Sequence, residues 1–146
     1  MKLSLIASAL IFLSYSSPAQ KAEVFQMDGA AIRGYDPVAF FKEQKPVKGS
    51  TEFKSQWKGA TWFFTSKENM DAFSHSPEAY APQYGGYCAY GTARGYKAPT
   101  QIDTWTIVNG KLYLNYNKTV KDLWSNDTPG YIRKADGHWP VIKNKG

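Results

Sequence analysis

One short stretch of the chain constrains its fold more than any other. The runs Trp105–Val108 and Lys111–Leu114 both alternate in polarity and flank the dipeptide Asn109-Gly110. This dipeptide favours a two-residue hairpin turn, because both central residues must adopt positive φ. The resulting register pairs Trp105 with Leu114 and places four apolar side chains on one face, which we expect to be buried. These side chains are Trp105, Ile107, Leu112 and Leu114.

A second hairpin and several short helices are predicted around it. Residues 52–57 and 61–65 are rich in aromatic and β-forming residues and flank Lys58-Gly59, which predicts two strands joined by a tight turn. Asp36 and Ser66 are placed to cap helices. The second of these helices carries Met70 and Phe73 on one face. Further helices are predicted to begin at Pro77, to span Val120 to Trp124, and to run from Thr128 to about Ala135, with Trp139-Pro140 closing the domain.

This mixture of hairpins and helices lacks a strand–helix–strand rhythm. It therefore predicts the α+β class: a small antiparallel sheet built from hairpins, with several short helices packed on it. The 146 residues are enough for one domain, and an aromatic content of 16% is enough for a buried core.

The beginning of the chain resembles an export signal. Lys2 is followed by the apolar stretch Leu3–Leu13, and Ser17-Pro18-Ala19 provides small residues at a cleavage site. The apolar stretch is too short to span a bilayer. We therefore predict a signal peptide at 1–19, a lead-in at 20–29, the domain at 30–140 and a basic tail at 141–146. The predicted location is periplasmic or extracellular, with no transmembrane segment after cleavage.

The charge of the chain argues against nucleic acid as a partner. Eighteen Lys and Arg residues oppose 12 Asp and Glu, but the basic residues are scattered along the chain. A nucleic-acid-binding surface needs clustered basic residues interleaved with exposed rings. A metal ion or a small ligand is the more plausible partner.

The segment from Tyr84 to Gly95 is the first candidate for a functional site. It combines four glycines and three tyrosines with the single cysteine of the chain, Cys88. Glycine at this density indicates backbone held close to another group. The segment can line a small-ligand pocket or pack at the edge of the core. The residues assigned to the pocket are Tyr84, Gly85, Gly86, Tyr87 and Tyr90.

Three roles are open for Cys88. It can be a small buried apolar residue, a ligand to a soft metal such as copper, or a redox-active thiol. His75 and His138 are the only histidines. Together with Cys88 they can form a three-ligand site for copper or zinc, if the fold brings them together. No Cys-x-x-Cys motif is present to support thioredoxin-like chemistry, and no catalytic motif is recognised.

Several motifs resemble those of YHS domain proteins of the exported, single-domain type. They are Gly34–Phe41, Gly59–Ser66, Tyr80–Ala89 and Gly110–Leu114. The resemblance extends from about residue 30 to Pro140. It implies a small α+β domain and an association with metal handling, above all with copper.

This chain departs from the metal-binding branch of that family in one respect. The resemblance places the cysteines of that branch at Ala39, Thr65 and Asn69, none of which offers a thiolate. A soft-metal site needs sulfur or imidazole, so that cysteine site is absent. The sequence thus predicts an exported, non-enzymatic binding domain. Its site is a metal site at Cys88 or, alternatively, a pocket for a small molecule or protein partner, with Cys88 structural. A redox-active thiol protein is a further alternative.

Overall fold

The computed structural model of the protein describes residues 22–146. The predicted signal peptide at 1–19 lies outside these residues. Within them the fold is α+β, as predicted. The strands form three two-stranded antiparallel sheets, each a separate hairpin. One of them is a short ribbon of β1 (Gln26–Met27) and β2 (Ala30–Ala31).

The two predicted hairpins are both present, and each closes through a two-residue turn. The first consists of β3 (Ser50–Trp57) and β4 (Ala60–Phe64), and the second of β5 (Gln101–Val108) and β6 (Lys111–Asn115). The four turn residues all have positive φ, as primed turns require. They are Lys58, Gly59, Asn109 and Gly110.

The register of the second hairpin is confirmed near its turn only. Val108 pairs with Lys111 and Ile107 with Leu112. The predicted pairing of Trp105 with Leu114 is wrong, because a register shift lies between Gln101 and Thr106. The predicted apolar face is nevertheless confirmed, since Leu112 and Leu114 are fully buried and the Trp105 and Ile107 side chains pack against the same cluster.

Six α-helices lie between and after the hairpins of the described chain. They are α1 (Ala39–Lys42), α2 (Lys67–His75), α3 (Pro77–Tyr80), α4 (Ala89–Ala93), α5 (Lys118–Ser125) and α6 (Thr128–Ile142). The Ser66 hydroxyl caps α2 by accepting from the backbone N–H of Asn69. None of these helices has the length and apolar composition needed to cross a bilayer.

Helix α6 is longer than predicted. It continues past Ala135 and through Pro140 to Ile142, although proline interrupts helical hydrogen bonding. The Trp139 ring packs against Tyr84 and Tyr87, with centroids 6.0 Å and 6.3 Å away. The Trp139 carbonyl accepts from the N–H of Lys143, so the helical pattern resumes beyond the proline. Tertiary packing of Trp139 thus outweighs the local signal to end the helix.

Strand β6 separates two buried clusters. Leu112 and Leu114 point into the larger one, with Trp62, Phe64 and Phe73. Tyr113 points the opposite way, into a cluster with Tyr84, Trp124 and Ala135. Alternation along a strand places successive side chains on opposite faces, so one short strand contributes to both cores.

The described part of the lead-in, residues 22–29, is part of the folded domain. Val24 is 1% exposed and belongs to the larger cluster. The Lys97 ammonium, also buried, donates to the carbonyl oxygens of Ala22, Lys143 and Lys145. One lysine therefore ties both ends of the described chain together.

Candidate functional site

A cavity of about 350 Å³ opens between the two clusters. This volume lies at the small end of the range for ligand pockets, about 300–1,000 Å³. The cavity, called the aromatic pocket below, is lined by side chains from both hairpins, the lead-in and α6. Its lining consists of Glu23, Val24, Trp57, Lys58, Trp62, Glu78, Ala81, Pro82, Gln83, Tyr84, Gly85, Lys111 and Trp139.

The indole rings of Trp57 and Trp62, on the hairpin of β3 and β4, are held by several contacts. The Trp62 Nε1–H donates to the Trp57 carbonyl oxygen at 3.1 Å. Both rings pack against Phe73, with centroids 5.0 Å and 5.7 Å away. The Lys58 ammonium lies 4.7 Å from the centroid of the Trp57 ring. A wall fixed in this way loses little conformational entropy when a ligand binds.

Tyr84 and Trp139 also line the pocket. Tyr84 is 4% exposed, and its hydroxyl donates to Asp136 Oδ1 at 2.9 Å. Burial of the phenol, followed by this hydrogen bond and the charge of Asp136, raises the pKa of Tyr84 far above its usual value. Tyr84 therefore stays neutral at physiological pH and places no charge beside the pocket.

Gly85 shows what the glycine-rich segment is close to. Its φ is +62°, and a Cβ at this position would lie 1.8 Å from the carbonyl oxygen of Glu23. The Phe25 N–H also donates to the Gly85 carbonyl at 2.8 Å. The close approach expected from the glycines is thus an approach to the lead-in of the same chain.

The five residues predicted to line one pocket are distributed over the molecule. Tyr84 and Gly85 line the aromatic pocket. Tyr87 lines a second cavity with the lead-in, and Tyr90 lines a third beside Cys88. A Cβ on Gly86 would meet Pro82 and Ile32, so Gly86 faces the core.

Cys88 is 1% exposed and caps α4. Its sulfur accepts hydrogen bonds from the backbone N–H groups of Gly91, at 3.4 Å, and Tyr116, at 3.3 Å. The thiol donates to Asn115 Oδ1 at 3.5 Å. The same oxygen accepts from the N–H of Tyr90. Cys88 thus fastens the start of α4 to the end of β6.

Burial raises the pKa of the Cys88 thiol, an effect only partly offset by the hydrogen bonds from Gly91, Tyr116 and Tyr90. The thiolate is the form that ligates metals and attacks electrophiles. Neither a cation nor an imidazole contributes to this shift. The thiol is therefore protonated at neutral pH, as a structural cysteine requires.

The raised pKa of Cys88 predicts a dependence of stability on pH. The folded protein keeps the thiol proton to higher pH than the unfolded chain, where the pKa is about 8.5. The stabilisation that comes from keeping the thiol protonated is complete below the unfolded-state pKa, and it is lost as the pH rises through the raised pKa of the folded state. We expect the free energy of unfolding to fall between about pH 8.5 and pH 10, and to fall less in Cys88→Ala.

Urea titrations in the presence of reductant measure this dependence. The comparison uses the slope with pH, so the loss of packing in Cys88→Ala does not affect it. Tyr84, Tyr87 and Tyr113 also have raised pKa values, but from a higher starting value, near 10. Identical slopes for both proteins below pH 10 would contradict the prediction.

The two histidines are not gathered around Cys88. His75 is exposed at the C-terminal end of α2. His138 lies on α6, where Nδ1 is 3.1 Å from the Thr92 carbonyl oxygen and donates to it. Among residues 22–146, no three His, Cys, Asp or Glu side chains lie close enough to hold a metal ion together. The three-ligand site of Cys88, His75 and His138 is thus not formed in this structure.

The positions where the resemblance would place cysteines surround the carboxylate of Asp36. This carboxylate is fully buried. Oδ1 accepts from the N–H groups of Val38 and Ala39. Oδ2 accepts from the backbone N–H and hydroxyl of Thr65, and from Nδ2 of Asn69, at 2.8–2.9 Å. Hydrogen bonds to one carboxylate therefore connect Ala39, Thr65 and Asn69. Asp36 accepts from backbone N–H groups at the start of α1, as predicted, but the N-cap position of that helix is Val38.

Sequence reasoning missed most of the aromatic pocket. The sequence pattern predicts Trp57 and Trp62 in strands and Trp139 at the close of the domain, after the last helix, without a shared role. No local spacing connects residues so far apart along the chain. The abundance of tryptophan, with five in 146 residues, was the one available signal, because large rings are frequent in binding surfaces.

Comparison with known proteins gives one match. Residues 38–84 match the model of the YHS domain family. The matched range includes the hairpin of β3 and β4 and the helices α1 to α3, and it ends before Cys88. No curated protein and no solved structure matches the chain.

Proposed function

The chain contains a YHS domain, and on this premise we propose that it is an exported, non-enzymatic domain that binds a small molecule in the aromatic pocket. The observation that carries this proposal is the pocket itself, with the partly exposed indole rings of Trp57 and Trp139 and four charged side chains around about 350 Å³. Ligand pockets typically combine such apolar walls with a few polar groups that fix the orientation of the ligand.

The rigidity of the pocket supports a binding role. The rings of Trp57 and Trp62 pack against Phe73, and the hydroxyl of Tyr84 donates a hydrogen bond to Asp136. Since these contacts exist without a ligand, binding needs little reordering of side chains.

The alternative, copper binding through Cys88, receives less support from the structure. The sulfur is buried and protonated, and its hydrogen-bonding groups belong to the backbone and to Asn115. A Cu(I) titration of the wild type and of Cys88→Ala, under anaerobic conditions, separates the two proposals. We expect equal affinity and stoichiometry, and a site lost in Cys88→Ala would favour copper.

The pocket is tested by the indole N–H signals of the five tryptophans in NMR spectra. Trp57, Trp62 and Trp139 line the pocket, while Trp105 and Trp124 lie elsewhere and serve as internal controls. The probes are D-glucose, phenethyl alcohol, phenethylamine, 3-phenylpropionate and L-phenylalanine. We expect at least one probe to shift the first three signals and to leave the other two unchanged. Unchanged pocket signals with every probe would overturn the proposed function.

Export is part of the proposal and has its own test. Residues 1–19 have the charge and apolar pattern of a signal peptide. We expect the mass of the protein recovered from outside the cytoplasm to correspond to a chain that begins at Gln20. A mass that includes Met1 would contradict cleavage.

A further inference from the structure

The charged side chains around the aromatic pocket are not equivalent. Glu23 and Lys58 form an ion pair at 3.1 Å and neutralise each other. Glu78, from α3, and Lys111, from the start of β6, also line the pocket. Neither forms an ion pair with any residue in the range 22–146. The pocket therefore offers one unpaired carboxylate and one unpaired ammonium.

These two charges act on a ligand in opposite ways. A cation is attracted by Glu78 and repelled by Lys111, and an anion experiences the reverse. A neutral molecule can form hydrogen bonds to both groups. Only a ligand that carries both charges has a favourable charge–charge interaction with each of them, because complementary charges attract.

We propose that the ligand of the aromatic pocket is a zwitterion with an apolar side chain, the chemistry of an α-amino acid. Its ammonium group lies towards Glu78 and its carboxylate towards Lys111. Its side chain packs against the partly exposed indole rings of Trp57 and Trp139. The small volume of the cavity, about 350 Å³, suits a ligand of this size. This inference rests on the proposed function, since it names the ligand class of the same pocket.

Four compounds that share a phenylethyl group and differ in the charged groups they carry test the inference by calorimetry on the wild-type protein. L-Phenylalanine carries both charges, phenethylamine only the positive one, 3-phenylpropionate only the negative one, and phenethyl alcohol none. We expect L-phenylalanine to bind about fivefold more tightly than either singly charged compound, and to exceed phenethyl alcohol by more than that, since each exposed charge pair contributes modestly.

Two variants assign the charges to their residues. In Glu78→Gln, the affinity for L-phenylalanine and phenethylamine should fall about fivefold, while that for 3-phenylpropionate should not fall. In Lys111→Gln, the affinity for 3-phenylpropionate should fall, while the affinity for phenethylamine should not. Both side chains are exposed, so the variants are expected to fold normally. Glu52→Gln and Lys54→Gln change exposed charges of β3 that do not line the pocket, and they should leave all affinities unchanged.

The outcomes distinguish this inference from the proposed function. Equal binding of L-phenylalanine and phenethyl alcohol, with shifts of the pocket tryptophan signals, would overturn the zwitterion and leave the pocket as a binding site. Selective binding of D-glucose would do the same. If none of the probes shifts those signals, both proposals are wrong.

Discussion

Replacing Asp36 with alanine should lower the free energy of unfolding by about 3 kcal/mol or more. The Asp36 carboxylate is fully buried and accepts five hydrogen bonds, from Val38, Ala39, Thr65 and Asn69. Its removal leaves these donors without an acceptor in a site that water does not reach. For a domain of this size, the loss corresponds to a fall in Tm of roughly 10 °C.

The isosteric variant Asp36→Asn separates hydrogen bonding from packing. Whichever way the new amide turns, its NH₂ group faces N–H donors that now bond to Oδ1 or Oδ2. We therefore expect Asp36→Asn to be clearly destabilised despite its unchanged volume. Asp103→Ala is the control, because Asp103 is exposed and its ion pair with Lys118 is long at 3.8 Å. This substitution should lower the free energy of unfolding by about 0.5 kcal/mol or less. Wild-type stability of Asp36→Asn in urea titrations would contradict this role.

The variant Gly85→Ala should be destabilised by about 3 kcal/mol or more, from two additive causes. Its φ of +62° disfavours any residue with a Cβ, and the new Cβ would lie 1.8 Å from the Glu23 carbonyl oxygen. Backbone cannot yield as a flexible side chain can, so the lead-in must move away. That movement breaks the hydrogen bond from Phe25 to Gly85 and exposes Val24.

Gly59→Ala provides the matched control for Gly85→Ala. Gly59 also has positive φ, +72°, but a Cβ there would meet no atom within 4 Å. This variant should therefore lose only the conformational preference, about 1 kcal/mol. Hydrogen exchange adds a local measurement, since the Phe25 amide should exchange faster in Gly85→Ala and not in Gly59→Ala. Equal destabilisation of the two variants would show that the approach to Glu23 is unimportant.

The predictable part of the fold came from signals that act within a few residues. The Asn109-Gly110 turn, the Ser66 cap and the alternation of Leu112 with Leu114 each depend on local geometry. The extension of α6 through Pro140 was not predictable in this way. It depends on the Trp139 ring packing against Tyr84 and Tyr87, which lie more than one element away along the chain.

The same distinction between local signals and long-range contacts applies to the candidate site. By itself the sequence determined the α+β class, the family resemblance, the unusual character of the Tyr84–Gly95 segment and the absence of cysteine at Ala39, Thr65 and Asn69. Only the tertiary structure decided that Cys88 is a hydrogen-bonded cap, and that Trp57, Trp62 and Trp139 share one pocket. The physical reason is range: turns and caps are fixed by neighbouring backbone groups, whereas a pocket is fixed by contacts between side chains far apart in sequence.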